Sequence, residues 1–339
     1  PKKPLPIILV ISLDLLGIGA MLVIFILFHH VLRLDSSDPL QNIVFGDTQT
    51  SVEPTVTPAF EVVEATDAPE ATPTISPTPS PTPEPGDFSA TFPSDETVDE
   101  DVYGSYISDT LRIVITQEEN YDAVYFVADV WIKDIQEFKT AFSDDTYGRG
   151  YASLPTVIAS NNNAILAISG DYYGGRSSGI VIRNGDLYRD SVSTDVCILY
   201  ADGVMETYYE DEFDIEAAIE RGAYQGWSFG PKLIDDGQVP ESYNTTSTII
   251  SRNPRSAIGY YEPGHYCLVT VDGRQSGYSR GMTLEQLSQT FIDLGCVAAY
   301  NLDGGQTAMM VFDDLIVNQP YKGGRTVSDI IYFERSDAE

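Results

Sequence analysis

Histidine is scarce in this chain, at 3 in 339 residues, and cysteine at 3 and tryptophan at 2 are scarcer than the length suggests. Each shortage removes a class of chemistry. Beyond residue 30 the one histidine is His265, so a Ser-His-Asp or Cys-His nucleophile would rest on it alone. Cys197, Cys267 and Cys296 have neither a disulfide-framework count nor a zinc-ligand spacing, and they stand among apolar neighbours, which reads as buried free thiols. No Walker or dinucleotide glycine pattern occurs. Positive charge is also short: Lys+Arg 19 against Asp+Glu 51 gives a net charge of -32. Nucleic acid is thereby excluded as a partner, because a phosphate backbone needs a clustered basic surface. Any anionic ligand must be met by individual arginines, and carboxylate chemistry is the default. No cofactor is called for, although the abundance of aspartate is compatible with an oxygen-ligated Ca²⁺ or Mg²⁺.

What the chain does contain is organised in three parts. Residues 1–34 hold an apolar run from Pro6 to Phe28, interrupted by the single charge of Asp14 and close to the ~20 residues that cross a bilayer core. Lys2 and Lys3 precede it and Asp35 and Asp38 follow, so the positive-inside bias predicts a cytoplasmic N-terminus, an uncleaved anchor and an extracellular C-terminal domain. Residues 35–102 are rich in Pro, Thr, Ser and acidic residues. That composition buries too little apolar surface to fold and reads as an extended, disordered stalk.

From Tyr103 to the C-terminus the pattern becomes short apolar runs with turn signals. Val124, Phe126, Ala128, Val130 and Ile132 alternate as a half-buried strand does, and a short helix through Phe142 is expected after it. Ala164 to Ser169 reads as a buried strand. Hairpins are expected at Asn184-Gly185, Asp202-Gly203 and Pro263-Gly264. The clearest helix is Leu284 to Leu294, with Thr283 and Gln286 as a capping box and Gly295 ending it, and it feeds a strand from Ala298 to Leu302. Hairpins with few helices predict an α+β fold of antiparallel or mixed sheets.

Three glycine-bearing segments just past predicted strands are where chemistry is expected. They are Ser169-Gly170-Asp171-Tyr172-Tyr173, Asp272-Gly273-Arg274, and Asn301-Leu302-Asp303-Gly304-Gly305. Taken singly, each Asp-Gly pair reads equally well as a tight turn.

Together with Ser228-Phe229-Gly230-Pro231, Arg255-Ser256-Ala257-Ile258-Gly259, Gly281-Met282-Thr283 and the closing stretch Arg325 to Ile330, these segments resemble, in this order, the phosphodiester glycosidase domain family. This is the family of N-acetylglucosamine-1-phosphodiester alpha-N-acetylglucosaminidase, with a bacterial branch labelled exopolysaccharide biosynthesis protein. The resemblance runs from about Tyr121 to Phe333. It departs at Ser169, where the family usually has Asn, and at Gln306-Thr307, where Gly-Ser is common. It implies hydrolysis of a sugar-1-phosphodiester, with a phosphate-linked saccharide as substrate. On that footing Asp303 and Asp171 are the candidate acid/base or nucleophile pair and Asp272 is a third carboxylate. Arg255, Arg274 and Arg325 are candidate phosphate clamps. Asn301 is placed to hydrogen-bond a sugar hydroxyl, Tyr172 or Tyr173 to stack on a sugar face, and Ser169, Gly304 and Gly305 to line the substrate. Two other functions fit the same residues: a non-catalytic cell-wall polysaccharide-binding module and a metal-dependent phosphodiesterase.

Overall fold

A computed structural model of the chain describes residues 86–95, 97–98 and 102–336. The expected membrane span from Pro6 to Phe28 and most of the expected stalk lie outside the described residues. Among the described residues, no helix is long and apolar enough to cross a membrane.

Strands dominate, and every strand pairing is antiparallel. In the largest sheet β1 (Gly104–Ile107), β2 (Leu111–Asn120), β3 (Ala123–Ile132), β12 (His265–Val271), β11 (Arg255–Glu262) and β13 (Ala298–Asn301) lie side by side in that order. A second sheet runs β7 (Asp186–Ser191), β6 (Gly179–Arg183), β10 (Ala223–Trp227), β8 (Val196–Tyr200), β9 (Met205–Tyr208). The third runs β15 (Leu315–Ile316), β14 (Met310–Phe312), β5 (Ala164–Ser169), β16 (Asp329–Glu334), β4 (Lys139–Phe142). Leu111, Ile113 and Ile115 point inward at period two along β2, whereas all six residues of β5 are buried, as befits a strand covered on both faces.

All three sheets close over one apolar core. Ile113 and Leu268 from the first sheet, Leu199 and Trp227 from the second and Ile331 and Phe333 from the third belong to the same buried cluster. Phe88, upstream of Tyr103, joins it: its backbone N–H donates to the Lys133 carbonyl at 2.8 Å, and its ring fills space where a Cβ on Gly203 or Gly264 would collide. Burying such a ring contributes about 2 kcal/mol.

Helices are few: α1 (Pro155–Asn161), α2 (Ile215–Glu220), α3 (Ser247–Ile250) and α4 (Leu284–Asp293). In α4 both arms of the capping box are formed by Thr283 and Gln286, and Leu284, Leu287 and Phe291 are buried. The helix expected through Phe142 is reduced to one 3-10 turn, Ile135–Glu137. Residues 139–142 instead pair with β16, Ala141 opposite Ile330, because ladder bonds and burial outweigh weak helical propensity. The three cysteines are free and buried, as the sequence predicts.

Candidate active site

In an antiparallel sheet the start of one strand lies beside the ends of its neighbours. Arg255 opens β11 opposite Val271 at the end of β12, and Asn301 closes β13 opposite Ala257, so three of the motif segments leave the first sheet at one edge. The third sheet joins them there. The Ser169 hydroxyl at the end of β5 lies 2.8 Å from that of Ser256, and the Asp303 N–H donates to the Gly170 carbonyl at 3.0 Å. Ser169 is fully buried in this seam, so it holds the Asp303 backbone and does not line the substrate surface.

The edge encloses a cavity of ≈ 160 Å³ whose wall includes Phe229, Asn253, Arg255, Arg274, Asn301, Asp303, Gly304 and Gly305. That is smaller than the ~300 Å³ at which drug-sized pockets begin, and suits one reacting group rather than a whole oligomer. Gly304 is required by close approach: a Cβ there would sit 2.6 Å from the Pro254 carbonyl oxygen. Gly305, at φ +70, turns the chain so that its N–H reaches the same carbonyl at 2.9 Å.

Asp303 is the one carboxylate among these lining residues. It is 7% exposed and its Oδ2 accepts no hydrogen bond from the described residues; the closest cationic group is Arg325 Nη2 at 3.7 Å. Burial pushes its pKa up from 3.8 to about 6, and Arg325, a Thr307 hydroxyl and Arg176 hold it from rising further. Asn301 is anchored by its Nδ2 donating to the Gly230 carbonyl at 2.8 Å, while its buried Oδ1 has no partner among the described residues.

Two cations face the same space. Arg255 is 3% exposed and donates from Nε to the Met282 carbonyl at 3.0 Å and from Nη2 to the Ser251 carbonyl at 2.6 Å. Burial, then the neighbouring Arg274 charge, push its pKa down to about 9, which still leaves it a cation at neutral pH. Arg274, in the left-handed region at φ 58, donates to Asn253 Oδ1 at 2.6 Å. Neither guanidinium forms an ion pair with a carboxylate among the described residues. An anion entering the cavity therefore meets two guanidiniums held by neutral oxygens, their charge not cancelled by a carboxylate among the described residues.

The remaining sequence-predicted residues do not line this cavity, although Asp171 and Tyr172 adjoin it through Asp303 and Arg325. Asp171 is 2% exposed and its Oδ1 is 2.9 Å from Arg183 Nη2, while its Oδ2 accepts from the Ser228 N–H at 3.1 Å. Arg183 also binds Asp329 at 2.7 Å, and burial ahead of the opposing Arg183 charge pushes Asp329 up to about 6. This sealed triad ties the segment after β5 to the end of β6 and the start of β16. Asp272 is 1% exposed; it accepts from Tyr278 Oη at 2.8 Å, Asn318 Nδ2 at 2.8 Å and the Gln319 N–H at 2.9 Å, and so ties two loops together. Tyr172 is exposed with Arg325 5.6 Å over its ring, whereas Tyr173 is buried in an aromatic group and stacks on Tyr147. His265 pairs with Asp129 at 2.7 Å at the opposite end of β12 from Asp272, roughly 23 Å away at ~3.3 Å per residue.

Sequence reading passed over Arg183, which ends an apolar strand and looks like a solvent-facing hairpin residue. It also missed Arg176, whose guanidinium lies 4.7 Å over the Phe229 ring. In a chain this poor in basic residues, an arginine directly after Tyr173-Gly174-Gly175 was the available signal. Among the described residues no group of three or more His, Cys, Asp or Glu is arranged to hold a metal ion.

The chain is similar to the SPbeta prophage-derived uncharacterized protein YomE of Bacillus subtilis, 26% identical over 269 residues. That match covers 71% of this chain but 42% of the prophage protein, so the chain spans less than half of that relative's length. Among solved structures, the catalytic domain of zebrafish N-acetylglucosamine-1-phosphodiester alpha-N-acetylglucosaminidase, auto-inhibited by its pro-peptide, superposes with a TM-score of 0.54 at 20% identity. It covers 67% of this chain and 84% of that one. A hypothetical protein from Synechocystis gives 0.52 at 14% identity, over 67% of this chain and 63% of its own. At such identities the likeness is one of fold. The phosphodiester glycosidase family model, however, matches residues 162–334, just over half of the chain and including every candidate side chain from Ser169 to Arg325, and the chain belongs to that family.

Proposed function

We propose that the domain hydrolyses the bond between the anomeric carbon of a sugar and a phosphodiester oxygen, with Asp303 as the reacting carboxylate. The observation that carries this reading is the pairing, in one cavity, of a buried carboxylate with an unpartnered oxygen and two guanidiniums without carboxylate partners. Arg255 and Arg274 bind the phosphate, and Arg325 approaches from the Asp303 side. The leaving group is itself a stabilised anion, so the guanidiniums take the place of a strong general acid. Asp303 removes a proton from water; the water oxygen bonds to the anomeric carbon as the C–O bond breaks; the electron pair leaves on the phosphate oxygen. The products are a free sugar and a phosphomonoester. Asp171, held by Arg183, supports the loop and does not touch the reacting atoms.

Asp329 has the same raised pKa but is sealed by Arg183, whereas Asp303 keeps an unpartnered oxygen in a cavity with two guanidiniums, which favours a reacting group and so an enzyme over a sugar-binding module. The test is release of reducing sugar from a GlcNAc-1-phosphodiester by the purified protein. Turnover in the wild type that falls by about 10²–10⁴ in Asp303→Asn supports the assignment. Turnover that survives the substitution removes Asp303 from the chemistry.

The apolar run from Pro6 to Phe28 and its flanking charges support tethering to a membrane with the domain on the outer side, acting on a phosphate-linked saccharide of the cell envelope or an exopolysaccharide. Protease added to intact cells digests the domain under this reading and spares it if the orientation is reversed.

A further inference from the structure

A second cavity, of ≈ 320 Å³, is lined by Tyr147, Gly148, Arg149, Tyr173, Gly174, Arg176, Ser177 and Arg189. Three of these residues are arginines and none is acidic, in a protein of net charge -32. None of the three guanidiniums pairs with a carboxylate among the described residues. Arg176 spends Nη1 on the Ser228 and Phe229 carbonyls at 2.9 and 3.2 Å. Arg189 spends Nε on the Gly179 carbonyl at 2.6 Å and Nη1 on the Tyr173 and Arg176 carbonyls at 3.2 and 2.8 Å. The Nη2 group of each makes no hydrogen bond to the described residues. Those carbonyl bonds fix both guanidiniums in place, and Arg149 completes the set from an exposed loop. Tyr173 also lines the cavity, 2% exposed, with its hydroxyl near the Gly148 N–H and the Asp329 carboxylate.

This cavity adjoins the first. Phe229 lines the Asp303 cavity, and the guanidinium over its ring is that of Arg176, which lines the second. Arg176 is near enough to lower the pKa of Asp303. We infer that the second cavity is a subsite for a further phosphate group on the leaving portion of the substrate, so that the preferred substrate carries at least two phosphates in series rather than one isolated diester. Three guanidiniums match the oxygens of a phosphate. The Tyr147 ring, stacked on Tyr173 at 5.1 Å, offers a face for the sugar or polyol between the two phosphates.

The inference rests on the proposed hydrolysis, but its test is separable from it. Calorimetric titration with inorganic phosphate is expected to find two sites, one lost in Arg255→Gln and the other weakened about tenfold in Arg149→Gln, the worth of one hydrogen bond to a charged group. Arg149 is exposed, so an unchanged unfolding midpoint checks that the variant is folded. A single site that Arg149→Gln leaves untouched overturns the subsite even if the enzyme is active. The kinetic arm compares kcat/KM for a GlcNAc-1-phosphodiester with an alkyl leaving group against the same diester bearing a terminal phosphate on that alkyl chain. A wild-type preference of about tenfold for the second, falling toward one in Arg149→Gln and restored in Arg149→Lys, supports the inference. Equal constants in the wild type overturn it. Turnover of neither compound, with two phosphate sites still titrating, refutes the hydrolysis and keeps the subsite.

Discussion

Replacing Asp303 by asparagine is expected to cut turnover by about 10²–10⁴ and, above pH 6, to make the folded protein more stable. The carboxyl is buried and its pKa rises from 3.8 to about 6 on folding. Below pH 4 it is protonated in both states and the substitution is close to neutral. Between pH 4 and 6 the unfolded chain gives up the proton while the folded chain retains it, so stability is lost as pH rises. Above pH 6 the loss is complete, at about 3 kcal/mol from ~1.4 kcal/mol per tenfold in proton affinity. The buried amide has its own unmet hydrogen bonds, which leaves a net gain of about 1–3 kcal/mol. Urea unfolding read from Trp131 and Trp227 fluorescence at pH 4 and pH 8, as the variant minus wild-type difference, measures it. A variant less stable than the wild type at pH 8, or a difference identical at both pH values, refutes the reasoning.

In the wild type, kcat/KM should rise with pH through about 6, as Asp303 loses the proton that prevents it acting as a base; a rate that falls over that range makes it the acid instead. Inorganic phosphate at ten times the Kd of the Asp303 cavity should stabilise the protein by about 1.4 kcal/mol through that site in thermal unfolding, a contribution that Arg255→Met removes and that equal stabilisation of both proteins would refute. Arg183→Met leaves Asp171 and Asp329 facing each other with no cation, and should cost about 3–5 kcal/mol in urea unfolding at neutral pH; a cost under 1 kcal/mol removes the triad as a support of the site.

How much of this the sequence disclosed depended on whether the signal was local. The capping box of α4 and the turn at Asn184-Gly185 depend on neighbours within four residues, and both formed where the sequence put them. The five apolar residues that open β5 were legible because no other use of such a run is common. By contrast β4 owes its form to β16, nearly 190 residues away, and nothing in 139–142 announces that pairing. The motif segments likewise located one edge of the sheet but not the direction of each carboxylate. Asp171, Asp272 and Asp303 occupy equivalent places just past strands, yet Arg183 seals the first, Asn318 and Gln319 tie up the second, and only the third reaches the cavity. Which of three like residues is left unpartnered is a property of the whole fold.

The central claim is that the cavity around Asp303 breaks the sugar-to-oxygen bond and not the phosphorus-to-oxygen bond. Hydrolysis of a GlcNAc-1-phosphodiester in ¹⁸O-labelled water, with the products resolved by mass spectrometry, tests it directly. The label is predicted on the anomeric hydroxyl of the released sugar, with none in the phosphomonoester. Label in the phosphate would contradict the account.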